Sequence, residues 1–124
     1  MIYSMRRTIF TLVVFGTTPA AAAKLPLQAG NYVLSDQDCK DPPLAAMARF
    51  DGEAFSGPQE SRCVSAILAH SGDAYRISTT CSGYGDGSPA KPSTEISRYR
   101  IEARDRFVVQ ASNGDLTYRL CKKR

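Results

Sequence analysis

Between Tyr99 and Leu120 apolar side chains recur at every second residue around an Asn113-Gly114 dipeptide. Period two is the spacing at which a β-strand turns successive side chains to opposite faces, so this stretch commits the chain to strands. Asn-Gly is the strongest short turn signal between two strands, because both residues tolerate positive φ. A two-residue turn there pairs Ala111 with Leu116, Val109 with Tyr118 and Phe107 with Leu120, all apolar and all on one face. Val108, Gln110, Thr117 and Arg119 fall on the other. A three-residue loop over residues 104–106 brings a third strand alongside, with Ile101 beside Val109 and Tyr99 beside Ala111. Pattern and turn chemistry agree over three strands, which is the mark of an antiparallel meander.

The middle of the chain repeats the theme. Cys63 to His70 and Ala74 to Cys81 flank Ser71-Gly72-Asp73, and a three-residue loop sets His70 opposite Ala74, Ile67 opposite Ile77 and Cys63 opposite Cys81. Asn31 to Leu34 is a short strand candidate. Asp41-Pro42-Pro43-Leu44 carries an N-cap followed by proline, and predicts one or two helical turns over Ala45 to Arg49. Asp51-Gly52 offers an alternative, a tight hairpin joining Met47–Phe50 to Glu53–Phe55. Residues 81–93, with three glycines and two prolines, are expected to form the long loop. The fold expected is mostly all-β: a small antiparallel meander or barrel of six to seven strands with one short helix.

Residues 1–23 have a different logic. Arg6 and Arg7 precede a short apolar run from Ile9 to Phe15, and Ala21-Ala22-Ala23 supplies small residues ahead of Lys24. That is the layout of a cleaved secretory signal peptide. The run is well short of the roughly 20 residues a membrane span needs. Residues 24–124 are then one exported domain, periplasmic or secreted, with no transmembrane segment after cleavage. The two signal arginines leave with the peptide, so 14 basic residues face 12 acidic ones, a net charge of +2.

About 100 residues bury limited apolar surface, so covalent staples help. Cys39, Cys63, Cys81 and Cys121 are an even set in an oxidising compartment, and two disulfides are expected. The hairpin register favours Cys63–Cys81, leaving Cys39–Cys121; the pairing Cys39–Cys63 with Cys81–Cys121 stays open. No C-x-x-C occurs, which argues against a zinc ribbon or a thioredoxin-type pair.

Few residues point to catalysis. His70 is the single histidine, beside Ser71 and Asp73 in one turn, whereas a catalytic triad needs its members to converge in space. No phosphate-cradling glycine loop is present. Asp36-x-Asp38-x-x-Asp41 begins like a calcium loop, but Lys40 takes a ligand position and no glycine follows. The chain therefore reads as non-enzymatic, with no cofactor and no metal. Candidate binding residues are Tyr84, on a glycine-rich loop, and an outward basic set made by Arg98, Arg100 and Arg119 with Gln110 and Thr117. Guanidinium groups recognise carboxylates and phosphates in pairs of hydrogen bonds. Aromatic residues to stack bases are missing from that face, so nucleic acid is not an expected partner.

Ser71-Gly72-x-x-Tyr75, on an exported β-rich chain with cysteines, resembles a short motif of bacterial periplasmic inhibitors of c-type lysozyme. The resemblance covers five positions, three of them fixed. It implies a small barrel whose Ser-Gly turn enters an enzyme cleft, with Ser71 and Tyr75 as contacts. The family's second element, a Lys-Gly stretch, has no counterpart between Cys81 and Ile96. The function expected is a small exported binding module, in its sharpest form an inhibitor or immunity protein against a cell-wall hydrolase, with another exported protein as partner. The alternative is an envelope-associated structural protein that binds anionic lipid or glycan through its arginine face.

Overall fold

The C-terminal alternation folds into strands, and the rest of the chain joins them in one sheet. The computed structural model describes residues 24–122; the expected signal segment 1–23 lies outside them. The strands are β1 (Gly30–Leu34), β2 (Met47–Phe50), β3 (Phe55–Ser56), β4 (Glu60–Ser71), β5 (Ala74–Tyr84), β6 (Pro89–Ala103), β7 (Arg106–Ala111) and β8 (Gly114–Leu120). They run antiparallel in the order β3-β2-β1-β8-β7-β6-β5-β4. The sheet curls until its two edge strands approach, giving a nearly closed barrel of eight strands where six to seven were expected. At the seam the backbone N–H of Phe55 on β3 donates to Ser65 Oγ on β4 at 3.1 Å, and Ser65 Oγ meets Thr79 Oγ1 at 2.7 Å.

Inside, Tyr32, Phe50, Phe55, Tyr75, Ile77, Ile101, Phe107 and Leu120 form the buried core with Leu27. Phe107 anchors it, with Tyr32 edge-on at 5.0 Å and Tyr118 stacked at 5.0 Å. Outside, Val33 and Val108 are also buried. The loop after β1 reaches this outer surface, where Arg119 donates to the Gln37 carbonyl at 2.6 Å and the Cys39–Cys121 bridge ties the loop to the end of β8. Cys63 and Cys81 are directly paired across β4 and β5, their Cα atoms 4.0 Å apart, and form the second disulfide. Both favoured pairings are present.

Several local expectations are corrected. The β7–β8 turn lies at Ser112-Asn113, so Val109 faces Leu116 and Phe107 faces Tyr118. The β6–β7 turn has two residues, and a bulge after Ile101 sets Ile101 opposite Phe107 and Tyr99 opposite Val109. Each pairing slips by two residues, which keeps every side chain on its expected face. The third dimension supplies the register: β1 pins β8 from its other side, Tyr32 opposite Leu120 and Leu34 opposite Tyr118. In the β4–β5 hairpin Ile67 faces Ile77 as expected, but a bulge before Ala69 shortens the turn and puts His70 opposite Tyr75.

The helix expected over Ala45 to Arg49 is a single 3-10 turn, Leu44–Ala46, and β2 begins at Met47. Pairing with β1 buries Phe50, a gain that a short helix of alanines does not offer. A hairpin forms around Asp51-Gly52 instead, but not the tight one: residues 51–54 are the loop, Phe50 faces Phe55, and the second strand is Phe55–Ser56 and does not include Glu53. Asp51 Oδ1 accepts from the N–H groups of Glu53 at 2.8 Å and Ala54 at 2.7 Å, and these bonds hold its carboxyl below the usual carboxylate range. Residues 81–93 are not a long loop: β5 and β6 continue through them to a turn closed by Tyr84 N–H to the Ser88 carbonyl at 2.8 Å. Gly83 permits this, since a side chain there would strike Ser61 on β4.

Candidate docking face

The outer surface of β4, β5 and β6 carries three consecutive cross-strand rows. Val64, Thr80 and Thr94 form one, Ala66, Ser78 and Ile96 the next, and then Arg76 lies opposite Arg98. Directly paired residues share a face, so the register alone places them together. Val64 is 71% exposed, Ile96 52% and Leu68, in the β4 bulge, 49%. Val64, Ala66 and Leu68 make an apolar row along β4, and Ile96 stands across from it on β6 beyond the hydroxyls of Thr80 and Ser78, a mixture of exposed apolar and polar groups of the kind protein interfaces use.

The basic residues divide into two groups. Arg100 pairs with Glu102 at 3.3 Å, and Arg119 is spent on Gln37. Those two serve the fold. Arg76 and Arg98 are exposed, directly opposed and without a salt bridge among the described residues. Two unneutralised guanidinium groups side by side attract a carboxylate or another planar anion.

At one end of this surface the β4–β5 hairpin turns through Gly72 and Asp73. His70 stacks on Tyr75 with ring centroids 4.1 Å apart and planes 10° from parallel, and its Nε2 hydrogen-bonds with the Gly72 carbonyl at 2.6 Å. The tip is thereby fixed in shape while Ser71 and Asp73 remain exposed. Tyr75 is buried and belongs to the core. It cannot be a contact residue, and instead supports the tip through His70.

Tyr84 is 59% exposed at the opposite, β5–β6 turn. Ser88 donates to Asp86 Oδ1 through its N–H at 2.9 Å and through its hydroxyl at 2.6 Å, which lowers the Asp86 carboxyl and orders the loop. Tyr84 is therefore not brought together with Ser71 or the arginines. A triad is not assembled either: the described contacts of His70 are with Tyr75 and Gly72. Glu60, Cys63 and Cys81 cluster as metal ligands would, but both sulfurs are bound in a disulfide and offer no thiolate.

The exposed apolar residues Val64, Leu68 and Ile96 escaped the sequence reading. The signal was present: once Cys63 and Ile67 face inward, Val64 must face out, so β4 has apolar residues on both faces. No known protein family, curated protein or solved structure matches this chain. Among the described residues no helix is long and apolar enough to cross a membrane, and the two disulfides are compatible with an oxidising compartment.

Proposed function

We propose that this protein is an exported, non-enzymatic binding module that docks another exported protein through the outer face of β4–β6 and the β4–β5 tip. The observation that carries the reading is one outer face on which exposed Val64 and Leu68 of β4 and Ile96 of β6, interleaved with the hydroxyls of β5, lie beside Arg76 and Arg98, neither in a salt bridge among the described residues. Apolar area supplies affinity, and the guanidinium groups select an acidic partner surface and speed encounter. A cleft lined by catalytic carboxylates is such a surface, and glycan-cleaving hydrolases carry a carboxylate pair. Inhibition or immunity against a cell-wall hydrolase of the periplasm is therefore the sharpest form of the proposal, with Ser71 on the fixed tip as a contact. The second reading, attachment to anionic lipid or glycan, rests on Arg76 and Arg98 alone.

Capture from an envelope extract tests the proposal, with wild-type oxidised protein, Val64→Glu and the double variant R76E/R98E as baits. The expected result is one protein retained at low salt and at about 0.5 M salt, lost with Val64→Glu and weakened with R76E/R98E. Retention of the same protein by all three baits, or of nothing by wild type, overturns it. Capture of lipid or glycan that disappears at high salt and with R76E/R98E transfers the function to the arginines alone.

A further inference from the structure

An eight-stranded barrel is just wide enough for its side chains to fill it or to hold one small ligand. Here the interior changes character halfway. On β6 the inward positions run Ile101, Tyr99, Ser97, Glu95; on β5 they run Tyr75, Ile77, Thr79, with Thr79 paired to Glu95 and Ile77 to Ser97. One half of the barrel is packed core. The other is open and mixed in character, with Thr79, Ser97 and Glu95 set among aromatic and aliphatic side chains, and holds a cavity of about 360 Å³.

The walls of this cup are aromatic. Tyr99 stacks on Phe55 at 4.5 Å, Tyr118 stacks on Phe107 at 5.0 Å, and Phe55 meets Phe107 edge-on at 5.2 Å. Its charges are all of one sign. Glu60 and Glu95 are exposed at the rim, and among the described residues no lysine, arginine or histidine lines it. Glu60 Oε2 accepts from the Gly57 N–H at 3.1 Å and lies within 3.6 Å of Cys81 Sγ, so this carboxylate reaches inward. Neither glutamate forms a salt bridge among the described residues. The Tyr99 phenol is raised well above its ordinary value by burial, with Glu95, Tyr118 and Glu60 adding.

Electron-rich ring faces together with carboxylates are what an organic ammonium group requires. The rings attract the cation through their quadrupoles, and the carboxylates neutralise it. A mineral cation would be held by oxygen ligands and would gain nothing from four stacked rings. Volume places the occupant at the small end of ordinary ligands. We propose that the open end of the barrel binds a small organic cation, an ammonium or quaternary ammonium group carried on a short apolar body. It seats on Tyr99 and Tyr118 and is neutralised by Glu60 and Glu95. This site lies inside the barrel and does not depend on the outer docking face.

The probe is benzyltrimethylammonium, titrated into the oxidised protein by calorimetry and followed by NMR shifts of the tyrosine rings. Saturable one-to-one binding with shifts at Tyr99 and Tyr118 is expected. The neutral isostere neopentylbenzene should bind about tenfold more weakly, as should the probe to E95Q and to E60Q. Glu95 is exposed, so Glu95→Gln keeps the fold, and an unchanged melting temperature verifies it. Equal binding of the neutral isostere, binding indifferent to both substitutions, displacement of the probe by calcium, or no saturable binding overturns the proposal.

Discussion

The ring of His70 lies flat on the ring of Tyr75, centroids 4.1 Å apart, directly across the β4–β5 ladder. One partner is buried in the barrel and the other is exposed at its rim, so the shape of the exposed tip is borrowed from the core. His70→Ala should cost about 1 kcal/mol in stability, the scale of an aromatic pair, and should loosen the turn. Urea titration measures the first effect. Faster amide exchange at Gly72–Ala74, with the core amides unchanged, reports the second. A loss of several kcal/mol would show that His70 supports the barrel as a whole.

The two disulfides close loops of very different length, with sequence separations of 82 for Cys39–Cys121 and 18 for Cys63–Cys81. On a chain-entropy basis they stabilise by about 4.5 and about 3 kcal/mol. The double variant C39S/C121S should therefore have the lower urea midpoint, and C63S/C81S should lose less. The reverse order would mean that the central hairpin carries the barrel.

Ser65 holds the seam. Its hydroxyl takes the N–H of Phe55 and is shared with Thr79. Ser65→Ala leaves the Phe55 N–H without its partner and should cost about 1–3 kcal/mol. Hydrogen exchange at Phe55 should accelerate far more than at Tyr32, which sits in the continuous part of the sheet. Equal acceleration at both would mean that the barrel opens only by global unfolding.

Stability should fall at alkaline pH. Burial, with Asp105 adding, pushes the Tyr32 phenol up to about 12, and burial raises Tyr99 and Tyr118 as well. A folded-state value above the unfolded value near 10 means the contribution is fully present below about pH 10. It is lost as pH climbs toward 12. Melting temperatures measured from pH 8 to pH 12 should decline over this window. Tyr32→Phe, which removes the titrating group and the hydrogen bond to the Gln28 carbonyl, should start lower and decline less steeply. An unchanged slope in that variant would assign the transition to the other tyrosines.

How far the residues could be read differs from one element to the next. Phe107, Val109, Tyr118 and Leu120 were assignable to one face because period two leaves no other choice. The Cys63–Cys81 bridge is favoured by the hairpin between them, whose centre at Ile67–Ile77 the alternation fixes and whose bulge near the tip it does not. The arginine face was legible for the same reason. That Arg100 and Arg119 take partners while Arg98, joined by Arg76 of β5, has no salt bridge among the described residues was not. That division depends on Glu102 and on the return of the loop bearing Gln37.

By itself, then, the chain determined an antiparallel β fold and the two faces of its main hairpins, and it favoured the disulfide pairs without fixing them. These are local consequences of alternation and short turns. The register of β6, β7 and β8 and the closure of the sheet came only with the tertiary structure. A slip of two residues leaves the hydrophobic pattern unchanged, so nothing in β7 and β8 alone distinguishes Phe107 opposite Leu120 from Phe107 opposite Tyr118. The pairing of β1 with β8 makes that distinction. Closure likewise turned Thr79, Ser97 and Glu95 into the lining of a cavity. In the linear chain they are polar residues like any others, because inside and outside exist only once the sheet has curled upon itself.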